Sequence, residues 1–175
     1  DDSTITSIEN TETGKTNLDL KNNSIVDLVI NNGEMEITRD DSSLIKAFGN
    51  NGNVKSVFEN DGVMTAVNNS ENAIMEQGLS NSGAIDALNN AGTIASITNT
   101  FNNKTKDAKE NKGYIGVITN TGTIGKEASP LATQDITYGI NNSGTIEKLI
   151  NSSGDLTDPN AGKDIHIFGG INNSG

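Results

Sequence analysis

Hard oxygen donors crowd one stretch of the chain, where Asp155, Asp158, Asn160 and Asp164 recur at near-alternate positions, as ligands do in calcium loops. The distal bidentate Glu of an EF-hand is missing and no Gly-Gly-x-Gly-x-Asp nonapeptide occurs, so the stretch is a calcium candidate in composition only. Its ordinary reading is turn chemistry, and no metal or other cofactor is expected. A second group is cationic: Lys104, Lys106, Lys109 and Lys112 fall close together in an otherwise acidic chain. They suit contact with an acidic partner, or with the acidic face of another copy, and otherwise form a solvated loop. The one histidine, His166, lies in the alternating run Ile165-His166-Ile167-Phe168, pointing outward with no nucleophile motif beside it. With a lone arginine, Arg39, two Tyr and no Trp, the chain lacks the acid, base and stacking aromatics of a sugar-cleaving site. The absence of Cys removes thiolate metal sites, disulfides and a thiol nucleophile. No enzyme is expected.

What positions these residues has to be built from little apolar material. Of 175 residues, 32% are hydrophobic and 3% aromatic, too few for an ordinary layered core. The Ile, Val, Leu and Phe content still lies above the range in which disorder is the default. A net charge of -11 repels phosphate backbones and anionic lipid, which argues against nucleic-acid partners and membrane-surface binding. No apolar run approaches the ~18 residues of a membrane span, so no membrane insertion by this segment is expected.

Internal repetition supplies the missing economy. Asn-x-Gly triplets recur at spacings alternating between about ten and about twenty residues, which resolves into two interleaved series with a step near thirty. Asn22, Asn50, Asn81, Asn111, Asn142 and Asn173 mark the first series; Asn31, Asn60, Asn90 and Asn120 mark the second, with Ser152 breaking it. Apolar pairs follow the first series, among them Val26/Val29, Val54/Val57, Ile85/Leu88 and Ile115/Ile118. Six copies result, at 4–33, 34–62, 63–92, 93–122, 123–154 and 155–175. Each holds three short runs of Ile, Val, Leu and Thr bounded by Asn, Gly and Ser, which is strand chemistry set between turns.

Stacking such copies in register pairs each strand with the ones above and below, and fills a narrow interior with aliphatic columns. The expected fold is a right-handed parallel β-solenoid of about six thirty-residue rungs, three strands per rung. Residues 1–175 form one such segment, expected to belong to a longer repeat protein. The first Asn series should stand in one column as a side-chain amide ladder, and Ile85 should lie buried between Val54 and Ile115. The segments without consensus, 9–17, 38–43, 68–72, 98–110, 125–134 and 157–163, are expected to stack along one edge and to carry any binding function.

The runs Ile140-Asn141-Asn142-Ser143-Gly144-Thr145-Ile146 and Ile118-Thr119-Asn120-Thr121-Gly122-Thr123-Ile124 resemble the repeats of secreted passenger domains of bacterial autotransporters, including self-associating adhesins and vacuolating-cytotoxin-like proteins. The resemblance spans nearly the whole chain. It implies a passenger on the bacterial cell surface, outside the cell, that adheres to a host surface protein or glycan or to another copy of itself. A secreted toxin passenger would share the fold, and a polysaccharide-acting β-helix enzyme is the remaining alternative.

Overall fold

The structure, a computed structural model, describes residues 4–101, 113–126, 139–151 and 166–174. These form a parallel β-solenoid: two parallel sheets run the length of the stack, a third joins them partway up, and no helix occurs among the described residues. The first sheet is crossed by Thr4–Asn10, Ile25–Asn31, Leu44–Ile45 with Ala47–Asn50, Val63–Asn69, Ala84–Asn90, Tyr114–Asn120 and Thr145–Asn151, one segment in each of seven rungs. The second holds Lys15–Leu20, Glu34–Arg39, Asn53–Val54, Ile74–Met75, Thr93–Ile94, Thr123–Ile124 and His166–Ile167. The third sheet starts only at Phe58–Asn60 and continues through Leu79–Asn81, Ile97–Asn99, Ile140–Asn142 and Ile171–Asn173.

The thirty-residue rung is corrected by the register. Thr4 pairs with Ile25, Ile25 with Leu44, Ala47 with Ala66, and Val63 with Ala84, so a rung takes 19 or 21 residues through the first half of the chain. Only later does the step lengthen to 30 and 31, from Ala84 to Tyr114 to Thr145. The cause lies in turn chemistry. Each three-sheet rung turns twice through Asn-x-Gly or its equivalent, once leaving the first sheet, as at Asn90-Ala91-Gly92, and once leaving the third, as at Asn81-Ser82-Gly83. The two corners carry the same triplet, and the interleaved series mixed them.

The expected Asn column therefore separates. Asn50 closes a first-sheet strand, whereas Asn81, Asn142 and Asn173 close third-sheet strands. Asn22 is an exposed turn residue with a φ of 61°, and Asn111 lies outside the described residues. Ile85 is fully buried as expected, but its neighbours are Met64 and Ile115, while Val54 belongs to the second sheet. The non-consensus segments share no single edge either: 9–17 and 68–72 join the first sheet to the second, and 38–43 returns from the second sheet to the first. Most of 98–110 and of 125–134, and all of 157–163, lie outside the described residues.

Inward positions on the first sheet lie three apart, as in Ile85 and Leu88, because the strand bends around the core at the two outward residues between them. At Gly52 and Gly122, on the corner leaving that sheet, Gly is required by proximity. A Cβ on Gly52 or Gly122 would stand 2.0 or 2.2 Å from the carbonyl oxygen of Gly33 or Gly92, one rung below. The interior widens where the third sheet begins, and stacked Phe48 and Phe58, with ring centroids 4.4 Å apart, fill the added width.

Arg39 closes the lower edge of that third sheet. Its side chain is 8% exposed, pairs with Asp61, and donates to the carbonyls of Glu59 at 3.1 Å and Ser43 at 2.7 Å. An open strand edge is thereby occupied by donors that a second chain would otherwise supply. Asp40 next to it accepts from the Ser43 and Ser42 hydroxyls, both at 2.7 Å, and from the backbone N–H of Asn22 at 2.9 Å. Those bonds, led by the Ser43 hydroxyl, hold the Asp40 carboxyl well below the usual carboxylate range. A carboxyl whose folded pKa is depressed contributes stability above its unfolded pKa and loses it as pH falls toward the folded one. The melting-temperature advantage of the native chain over Asp40→Asn is therefore expected to be full at neutral pH and to shrink below about pH 4. Parallel melting curves for the two proteins at stepwise lower pH check this, and an advantage independent of pH would remove the carboxylate from the account.

Candidate binding edge

Two amide ladders, buried except at their upper ends Asn151 and Asn173, hold the corners. The first runs Asn10, Asn31, Asn50, Asn69, Asn90, Asn120, Asn151, each Nδ2 donating to the Oδ1 of the next at 2.7 or 2.8 Å. The second runs Asn60, Asn81, Asn99, Asn142, Asn173 with the same spacing. Asn10, Asn60, Asn69, Asn81, Asn90 and Asn99 also donate to a carbonyl of their own turn and to one in the rung above: Asn90 reaches Gly92 at 3.2 Å and Thr123 at 3.0 Å. Every described link points the same way along the stack. At its lower end the first ladder is closed by Thr16, whose hydroxyl donates to Asn10 Oδ1 at 2.8 Å.

Outside this buried ladder the same corner presents exposed polar rows. Asn51 donates to Asn32 Oδ1 at 2.8 Å, Asn32 donates to Glu9 at 3.0 Å, and Ser70 donates to Asn51 Oδ1. Asn89 donates to Asn68 Oδ1 at 2.8 Å on the neighbouring column. Two shallow hollows lie along this edge. One, of about 220 Å³, is lined by Asn68, Ser70, Asn89, Thr119 and Thr121 among others; the other, of about 350 Å³, lies over rungs one to four.

The second sheet flanks this edge with charges of alternating sign. Lys15 pairs with Glu34 at 3.3 Å, Lys55 lies 4.0 Å from Glu34, and Lys55 also pairs with Glu76. Hydrogen bonds from Lys55 and Asn53 lower the Glu76 pKa, and the bond to Glu76 raises that of Lys55. Exposed pairs of this kind add little stability, but they neutralise the face locally in a chain that is acidic as a whole.

Lys104, Lys106, Lys109 and Lys112 lie outside the described residues, as do Asp155, Asp158, Asn160 and Asp164. His166 pairs with Thr123 on the second sheet and stacks on Phe168, with ring centroids 4.7 Å apart. Sequence reading missed Asn10, Asn69, Asn99 and Asn151 as ladder members because none is followed by Gly two residues on. The signal that finds them is an Asn two residues after an inward aliphatic, as in Ile8/Asn10, Val67/Asn69, Ile97/Asn99 and Leu149/Asn151. No protein-family model matches the chain, and no curated protein and no solved structure matches it.

Proposed function

We propose that this chain is a structural and adhesive segment of a bacterial cell-surface passenger, acting outside the cell. Its partner is a host surface protein or glycan, or another copy of itself. The observation that carries the reading is the exposed polar rows at the corner between the first and second sheets, which repeat similar hydrogen-bonding groups one rung, about 4.8 Å, apart. Contacts at such groups are individually weak, and a rigid row of them sums by multivalency. The buried ladders supply the rigidity, since they pin each corner to the next without using the outward side chains.

Beads coated with the chain test this directly. They are expected to adhere to a monolayer of host epithelial cells, or to one another, under gentle flow. Replacing Asn51, Asn68 and Asn89 together by Ala should more than halve adhesion while shifting the melting temperature little, because surface changes of this kind cost within about 0.5 kcal/mol each. Beads that adhere to neither surface, or a triple variant that adheres as well as the native chain, would overturn the reading.

A further inference from the structure

The larger hollow differs from the rest of the edge in having ends. Four residues separate Asn10 from Lys15 and Asn69 from Ile74, whereas two separate Asn31 from Glu34 and Asn50 from Asn53. Rungs one and four thus push out two extra residues each, and rungs two and three between them do not. Each excursion is closed by its own turn bond, Gly14 N–H to Thr11 O at 2.9 Å and Ala73 N–H to Ser70 O at 3.0 Å. Asn72 holds its place with a φ of 68°. Between these walls the corner residues Gly33 and Gly52 carry no side chains. The walls stand three rung steps apart, roughly 14 Å, which leaves a trough the length of about two linked pyranose rings.

Resting on the adhesive reading of this edge, we propose that the trough binds a neutral oligosaccharide through about two sugar units. Its polar lining includes the Glu12 and Glu34 carboxylates and the Asn32, Asn53 and Asn72 amides, which match ring hydroxyls as donors and acceptors. Ile74, 41% exposed, supplies the aliphatic surface that the C–H face of a pyranose needs. Asn53 lines the same trough: its Nδ2 donates to Glu76 at 2.7 Å, and its Oδ1, buried beneath the surface, has no hydrogen-bond partner among the described residues.

Other ligand classes fit less well. Lys15 and Lys55 are already paired with Glu34 and Glu76, so a sulfated or phosphorylated polymer would meet carboxylates and lysines whose charge is spent on them. A peptide cannot add as a strand here, because the corner backbone is spent between rungs. Glu34, Asn53 and Ile74 N–H groups donate to the carbonyls of Gly14, Gly33 and Gly52.

The test is an amide-resolved NMR titration of the whole chain with maltose, cellobiose, lactose and N,N′-diacetylchitobiose, and with a heparin disaccharide as the anionic comparator. At least one neutral disaccharide is expected to give saturable shifts confined to the amides around Gly33, Gly52, Asn53 and Asn72. Ile74→Ala and Asn53→Ala should each weaken that binding at least tenfold with little change in melting temperature. The proposal is overturned if none of the four neutral sugars saturates, if the shifts lie elsewhere, or if only the heparin disaccharide binds. Bead adhesion that persists alongside a negative titration leaves the adhesive edge standing and removes the sugar site alone.

Discussion

Ile85→Asp is expected to abolish the cooperative thermal unfolding of the central rungs. Ile85 is fully buried on the first sheet, stacked between Met64 and Ile115 in a column that continues through Ile45 below and Ile146 above. Removing an aliphatic side chain of this size from a core costs about 2–5 kcal/mol before any charge is considered. The carboxylate then has to sit in an interior where the neighbouring columns are aliphatic, and an unpaired buried charge adds several kcal/mol more. The sum rivals the whole margin of a typical domain, about 5–15 kcal/mol. Because each rung touches only its neighbours, the damage should centre on rungs four to six and leave the lower rungs able to pair. Far-ultraviolet circular dichroism should show a lower-amplitude, broader transition, and limited proteolysis should cut near the substituted rung. Ile85→Val, which deletes one methylene, should cost about 1 kcal/mol and keep a sharp transition. An Ile85→Asp protein that melts like the native chain would show that this column is not the core.

The parallel strands, thin aliphatic core and stacked amides were legible in the residues because they depend on local chemistry repeated. An Asn-x-Gly turn at the end of a short extended run needs no partner to be recognised, as the stretch from Tyr114 to Gly122 shows. Rung length was not legible in this way. Asn60-Asp61-Gly62 and Asn90-Ala91-Gly92 look alike as text, yet one turns from the third sheet to the first and the other from the first to the second. Ala73 hid one corner further, standing where Gly33, Gly52 and Gly92 stand in other rungs. The wall of the trough escaped notice for the same reason, since two extra residues at Thr11–Thr13 and Ser70–Asn72 mean nothing until the register aligns Asn10 with Asn31 and Asn69 with Asn90. Arg39 could be counted but not placed. Its role depends on the third sheet beginning at Phe58, which the Phe48 and Phe58 stacking makes possible and no local pattern announces.

Asn90→Ala should destabilise the solenoid by about 3 kcal/mol, while Asn89→Ala, one residue away, should change little. The two side chains differ only in the side of the strand they occupy. Asn89 is exposed and donates to Asn68, whereas Asn90 is 1% exposed and ties three rungs together. Its Nδ2 faces Asn120 Oδ1, Gly92 O and Thr123 O, and its Oδ1 accepts from Asn69. Alanine removes all four contacts at once and leaves buried groups on both neighbouring rungs short of a partner. Part of the cost is recovered, since Asn69 Nδ2 keeps Thr93 O at 3.2 Å and Ala73 O at 3.3 Å, and Gly92 O keeps the Thr123 N–H at 2.8 Å. Asn90→Asp separates the ladder's direction from its packing, because the shape is conserved while the donor becomes an anion facing three oxygens. It should be worse than Ala at neutral pH. Repulsion and burial raise the folded pKa of the new carboxyl above its unfolded value, so the penalty is present above the folded pKa and relieved as pH falls through it. Chemical denaturation of the Asn89→Ala, Asn90→Ala and Asn90→Asp proteins at neutral and acidic pH reads all three expectations together. Equal losses for Asn89 and Asn90, or an Asn90→Asp protein as stable as the native chain at neutral pH, would mean that stacking of the strands alone holds the corner and that the amides contribute no direction to it.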